Sequence, residues 1–246
     1  QWAPDGSKSA YEVNVHDRKA IELYLITSTG EVEAVRPSSR RRSDLSAGFS
    51  SSNQGGVAHE LSWSPSALNS YVYSSSNAAR DYNLYLKGGT LVVDSAGTDG
   101  SPSWSPLGHF IAFTSARTGQ GDLYTLNVQD LRAEPRQLTN DPDASELYAA
   151  WSPNGVSIAY VGHSNTGDNL YLIEDTRNPQ SRRLTSWQHM QTRPRFSPDG
   201  KTIAFYSNHL DSERFDLWVI DVDGSARKLK EDVVMNSRGP VWTADG

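Results

Sequence analysis

Cysteine is absent from the 246 residues. Thiol catalysis, iron–sulfur clusters, Cys-type zinc sites and disulfide frameworks are therefore excluded. No apolar run approaches the roughly 18 residues that a membrane-crossing helix takes, so no transmembrane segment is expected. A basic excess is missing too. Lys and Arg number 23 against 29 Asp and Glu, for a formal charge of −6, which argues against a nucleic-acid partner. Nor does the chain carry Gly-x-Ser-x-Gly, His-Glu-x-x-His, a Gly-x-Gly-x-x-Gly after a strand, or a Gly-Lys-Ser/Thr phosphate loop. The residues thus assign no catalytic group, no metal and no cofactor, and the reading leans away from an enzyme.

Aromatic residues are what the chain has. With 36% hydrophobic residues it is polar, yet it holds 7 Trp, 11 Tyr and 6 Phe, and disordered chains are poor in aromatics. Together with 19 Gly and 12 Pro, this composition predicts many short strands joined by many turns.

A repeat organises them. An aromatic, a small residue, Pro, a variable residue and usually Gly recur as Trp2-Ala3-Pro4-Asp5-Gly6, Trp63-Ser64-Pro65, Trp104-Ser105-Pro106-Leu107-Gly108, Trp151-Ser152-Pro153-Asn154-Gly155 and Phe196-Ser197-Pro198-Asp199-Gly200. Trp242-Thr243-Ala244-Asp245-Gly246 is a sixth, poorer copy. Successive anchors lie 61, 41, 47, 45 and 46 residues apart. Seven to nine residues on comes an alternating stretch such as Ile111-Ala112-Phe113, Ile158-Ala159-Tyr160 or Ile203-Ala204-Phe205. Eighteen to twenty residues on comes an acid or amide, followed by Leu and Tyr or Trp: Glu22-Leu23-Tyr24, Asn83-Leu84-Tyr85, Asp122-Leu123-Tyr124, Asn169-Leu170-Tyr171 and Asp216-Leu217-Trp218. Arg136-Gln137-Leu138-Thr139 and Arg183-Leu184-Thr185 close two units, and Arg227-Lys228-Leu229 closes a third more weakly.

Period-two alternation makes each landmark a strand, and Pro-Asp-Gly or Pro-Asn-Gly is turn chemistry between the first two. Each unit is then a four-stranded antiparallel sheet, and units of this length stack radially as propeller blades. The expected fold is an all-β propeller, with blades starting near residues 2, 63, 104, 151, 196 and 242. Five blades are recognisable, and six are expected of a single domain cut from a longer chain. Acids and amides that recur before Leu-Tyr read as blade-geometry residues accepting local hydrogen bonds, and the anchor aromatics as core.

The pattern Trp-Ser-Pro-Asp-Gly, Ile-Ala-Phe, Asp-Leu-Tyr and Arg-Leu-Thr resembles the WD-like (PD40) repeats of the TolB-type propeller family. The resemblance covers essentially the whole chain and is strongest over residues 101–224. The blades are less uniform than those of TolB, so the likeness is to the family and not to TolB itself. It implies a non-enzymatic, protein-binding propeller of the bacterial cell envelope, periplasmic or extracellular, with a protein partner. The family's other members imply two alternatives: the propeller of a larger prolyl-oligopeptidase-like or tricorn-like hydrolase, or a lyase-like carbohydrate-active propeller using histidines on a metal.

Six histidines are the remaining candidates for chemistry. His16, His163 and His209 fall 14, 12 and 13 residues after their anchors, in the expected turn between second and third strands, and Arg117 takes that place in the third repeat. Clustered imidazoles there would suit a ligand or metal, but the repeats that carry them are not consecutive, and a turn that tolerates any polar residue is the plainer account. His59 and His189 lie on the approach to an anchor strand, toward the end where propellers take ligands. Arg40, Arg41 and Arg42 sit in a long Ser/Gly-rich insertion, either a basic docking loop or a solvated one.

Overall fold

In the computed structural model of the chain, residues 3–15, 20–35, 58–65, 70–76, 82–235 and 239–246 are described. They form nineteen strands, and none of them is helical. His16 and the Arg40–Arg42 run lie outside the described residues.

The chain divides into two compact units, residues 1–119 with 126–134 and residues 120–125 with 135–246. In the first unit, β1 (Lys8–Val15), β2 (Ala20–Thr27) and β3 (Val32–Ala34) form a three-stranded antiparallel sheet. A four-stranded sheet follows, with β4 (Ala58–Trp63), β5 (Tyr71–Ser76), β6 (Tyr82–Leu86) and β7 (Thr90–Val93) in sequence order. The antiparallel pair β8 (Asp99–Trp104) and β9 (Phe110–Ser115), which belongs to a separate sheet, follows in the first unit. The second unit pairs β10 (Asp122–Asn127), which it shares with the first, to β11 (Arg136–Gln137). Two full four-stranded meanders follow. One is β12 (Ser145–Trp151), β13 (Ile158–Ser164), β14 (Gly167–Ile173) and β15 (Ser181–Arg183). The other is β16 (Gln191–Phe196), β17 (Thr202–Ser207), β18 (Asp216–Asp221) and β19 (Ala226–Lys230).

The anchor motif builds the turn after each first strand. Ser152 O accepts from Gly155 N (2.8 Å), and the Ser152 hydroxyl accepts from Ser157 N (2.9 Å) and donates to Asn154 Oδ1 (2.7 Å). Ser197, Asp199, Gly200 and Thr202 repeat this arrangement. Gly155 and Gly200 sit at φ 70° and 74°, which is why the turn closes on glycine.

A second device was not visible in the motifs. Register shifts occur between His59 and Ser62, Gly100 and Ser103, Leu147 and Ala150, and Thr192 and Arg195. Each bulge carries a non-glycine residue in the left-handed region: Glu60 (φ 46°), Ser101 (49°), Tyr148 (59°) and Arg193 (57°). All four stand three residues before an anchor. A bulge re-aims side chains and bends a strand, and recurrence at one position marks it as part of the repeat. Within the first unit the Glu60 carboxylate accepts from Ser101 N and Ser101 Oγ. Within the second, the Arg193 guanidinium lies 4.8 Å from the Tyr148 ring centroid.

Each unit has its own apolar centre. Leu23, Leu25, Leu61, Trp63, Tyr71, Tyr73 and Leu91 are buried together in the first. Ala159, Val161, Leu170, Ile203, Phe205 and Ile220 are buried in the second, with Tyr148, Trp187 and Trp218 packed against them. The acids and amides before Leu-Tyr are framework residues. Asn169 Oδ1 accepts from Trp187 N (3.0 Å), Asp122 Oδ2 from Gln137 Nε2 (3.1 Å) and Asp216 Oδ1 from Asp232 N (3.0 Å).

Candidate functional site

The position five residues before each anchor is the first or second residue of the first strand, and its partner on the second strand is fixed by register. The pairs are Ala58 with Ser75, Asp99 with Ser115, Glu146 with Gly162, and Gln191 with Ser207. Asp99, Glu146 and Gln191 are all buried. Three of the four pairs carry serine on the second strand, and one carries glycine.

Where serine is present the polar group is enclosed. Asp99 Oδ2 accepts from Ser95 Oγ (2.9 Å), Asp99 Oδ1 accepts from the Arg117 guanidinium (3.3 Å), and Ser115 Oγ accepts from Arg117 Nε (2.8 Å). Burial still pushes the Asp99 carboxyl above its ordinary range, against the lowering pull of Ser115, Ser95 and Arg117. Arg117 is thus a structural partner of an acid, and its guanidinium also lies 5.7 Å from the Phe113 ring centroid.

At Glu146 the arrangement opens. A cleft of about 400 Å³ lies over Gly162, with Glu146, Tyr160, Tyr171, Asp141, Gln180 and others around it. A Cβ built on Gly162 would stand 2.7 Å from Tyr171 Cε2. The missing side chain therefore lets the Tyr171 ring lie against strand β13. That ring stacks on Tyr160, with centroids 5.3 Å apart and planes at 16°, and the Tyr160 hydroxyl donates to Ser181 Oγ (2.7 Å). Glu146 Oε2 accepts from the Thr139 hydroxyl (2.9 Å), and Thr139 Oγ1 in turn accepts from Leu123 N (2.8 Å). Burial pushes the Glu146 carboxyl up to about 8; the charges of Asp122 and Asp141 and a hydrogen bond with Asp122 add to this, while the Thr139 hydroxyl opposes it. Glu146 is consequently a neutral carboxyl near neutral pH, hydrogen-bonded but able to release a proton. Sequence reasoning missed this residue. The available signal was Gly162, which breaks a column otherwise filled by serine.

The predicted histidines are partly brought together. His163 is the sixth residue of β13 rather than a turn residue, and its exposed ring hydrogen-bonds Asp168 across the hairpin. Asp168 N donates to His189 O (3.0 Å), and His189 is left-handed at φ 66°. His209 follows β17 and stacks on Trp187, centroids 3.9 Å apart, with Trp218 at 4.6 Å. Burial lowers its basicity. The loop from Trp187 to Met190 therefore gathers His163, His189 and His209 at one end of the fourth and fifth repeats, with Met190 and Leu210 exposed beside it. Among the described residues, no group of three or more His, Asp or Glu is placed to hold a metal ion. The side chain of His59 is outside what the structure describes; its backbone pairs with Ser74 in β4–β5.

No protein-family model matches the chain. The crystal structure of TolB from Acinetobacter baumannii aligns with 92% of this chain and 53% of its own, at TM-score 0.67 and 22% identity. A candidate TolB from Agrobacterium tumefaciens aligns with all of this chain and 85% of its own, at TM-score 0.71 and 19% identity. The fold is a TolB-type β-propeller. Its blades are the antiparallel sheets of the repeat, four-stranded apart from the first, in which three strands are described. In sequence, a TolB homolog of Chlorobium luteolum is 30% identical over 142 residues, 56% of this chain and 30% of that protein. An uncharacterized peptidase, YuxL, of Bacillus subtilis is 29% identical over 101 residues, and dipeptidyl-peptidase 5 of Porphyromonas gingivalis 30% over 103. Each of those two covers 39% of this chain and 15% of the peptidase. The chain therefore spans 15–30% of the length of the curated relatives it matches. No helix among the described residues is long and apolar enough to cross a membrane.

Proposed function

We propose that this chain is a non-enzymatic, protein-binding propeller of the bacterial cell envelope, acting in the periplasm or outside the cell. The observation that carries this reading is the likeness to TolB structures over 92% and 100% of the chain. The blade end at Trp187–Met190 supports it. There an exposed Met190 (42%) and Leu210 (62%) stand beside exposed His163 and the half-buried Trp187, a mixture of apolar and polar side chains suited to a protein partner. Cross-linking from a photoreactive residue at position 210 of the intact natural protein, expressed in its own cell, tests it. The expected result is one discrete protein adduct in the envelope fraction that disappears when Met190→Asp is added. Residence in the cytosol, or no adduct above that of a buried control position, overturns the reading.

A second reading rests on the two peptidase alignments: the propeller of a larger prolyl-oligopeptidase-like hydrolase. Intact mass and terminal sequencing of the natural polypeptide decide between them, since a further domain bearing Gly-x-Ser-x-Gly would replace the scaffold by the peptidase. Elemental analysis of the purified protein for manganese and zinc tests the lyase-like alternative.

A further inference from the structure

We propose that the cleft over Gly162 is a binding site for the ammonium head of a small primary alkylamine. Its volume of about 400 Å³ is within the roughly 300–1,000 Å³ of small-molecule sites. Its lining is one-sided in charge: the carboxyls of Glu146 and Asp141 are present, and among the described residues no Lys, Arg or His lines it. An anion would meet Asp141 with nothing to pair it. A cation pairs with the carboxylates, and its alkyl chain meets the stacked rings of Tyr160 and Tyr171, whose faces favour positive charge.

The proton balance follows from the groups that face Glu146. These are Asp122 on β10, Asp141 on the loop between β11 and β12, Tyr160 on β13 and Tyr171 on β14. Burial first, with Asp122 and Asp141 adding to it, keeps the proton on Glu146 while the cleft is empty. An arriving ammonium ion displaces that proton to solvent and pairs with the carboxylate left behind, so one charge enters as one leaves. The blade design explains why only this position serves. Asp99 is already paired with Arg117, and Gln191 carries no charge and faces Ser207. This site and the proposed partner surface are independent, and either can fail alone.

Calorimetric titration of the intact chain with n-pentylamine hydrochloride tests the site, in two buffers of different ionisation enthalpy. Affinity should rise about tenfold per pH unit from pH 6 to 8 and level off above, with close to one proton released per amine below pH 8. 1-Pentanol should show neither the proton release nor the pH dependence. Glu146→Gln keeps the neutral shape, and Gln already serves at the same position in the next blade, so this variant should fold; its affinity at pH 8 should fall at least tenfold with no proton released. Asp141→Asn, on the rim, should weaken binding about threefold and serves if the first variant misfolds. Absence of binding at about 10 mM amine, equal binding by the Gln variant, or equal binding of the alcohol overturns the proposal.

Discussion

Asp99 in the first unit and Glu146 in the second occupy the same position of the repeat, yet one is closed and the other open. Asp99 faces Ser115, and its charge is met by Ser95 and Arg117. Glu146 faces Gly162, accepts a hydrogen bond from the Thr139 hydroxyl, interacts with the acid Asp122, and borders a cleft. Gln191 is a third version, with Ser207 opposite and the Thr185 hydroxyl donating to it (3.1 Å). A polar group at this position ties the first strand to the end of the preceding repeat, and an amide or a paired acid does so without a void. What the repeat requires is scaffold; the departure from it at Gly162 lets the Tyr171 ring lie against β13, and the cleft lies beside that ring and Glu146.

The strongest way to break the comparison is to remove the closed acid. Asp99→Ala strips a buried partner from Arg117 and two serines, and the expected loss is about 3–5 kcal/mol, read by urea unfolding. Glu146→Gln at pH 6, where the native side chain is already neutral, should cost less than about 1 kcal/mol. Equal losses would mean that the two acids do the same structural task.

The next test is pH. Glu146 has a folded-state pKa of about 8 against an ordinary 4.5. Because it is raised, its contribution is complete below about pH 4.5 and is lost as pH climbs through 8. His209 acts in the opposite sense, since its lowered basicity withdraws stability as pH falls below its ordinary 6.5. The stability of the native chain relative to Glu146→Gln isolates the first effect. It should fall by about 2 kcal/mol from pH 5 to 8.5, below the full linkage value because the open cleft admits water. A flat difference would place the Glu146 carboxyl in the ordinary range.

The scaffold was legible in the sequence because its landmarks follow backbone rules. Trp151, Ser152, Pro153, Asn154 and Gly155 specify a turn, and Ile158-Ala159-Tyr160 has the period of a strand. Asn169 recurred as asparagine or aspartate, and it bonds Trp187 N as a framework residue should. The bulge residues Glu60, Ser101, Tyr148 and Arg193 were not legible. They share a conformation and a register shift but no side-chain type, so no pattern of letters marks them. Glu146 was hidden for a different reason. Its chemistry depends on Thr139 from the preceding repeat, on Asp122 and Asp141, and on the absence of a side chain at position 162, and none of these is its neighbour in sequence. The histidines were visible in the sequence, but their surroundings were not: His209 is packed between two tryptophans, whereas His163 and His189 are exposed.

Gly162→Ser sharpens the comparison from the other side, by giving the open blade the serine of its siblings. The new Cβ meets Tyr171 Cε2 at 2.7 Å, so the ring must lift off strand β13. The expected cost is about 1–2 kcal/mol, even though serine is the residue that other blades use. Tyr171→Leu alone should cost a similar amount, and the pair together less than the sum, since the second change removes the clash made by the first. Strict additivity would mean that the ring does not depend on the glycine.

The smallest effect is expected at the blade end. His163 and Asp168 are hydrogen-bonded, but the His163 side chain is 58% exposed and Asp168 13%. An exposed pair of this kind contributes under about 1 kcal/mol, so His163→Asn should leave the unfolding midpoint nearly unchanged. The backbone bond from Asp168 N to His189 O (3.0 Å) holds the hairpin to the Trp187–Met190 loop without the imidazole. If His163 belongs to a partner surface, the same variant should weaken the cross-link from position 210 while the melting curve stays put. A marked loss of stability would instead make this histidine part of the framework, in the class of Asn169 and Asp99, and would leave Met190 and Leu210 as the presented residues of that end.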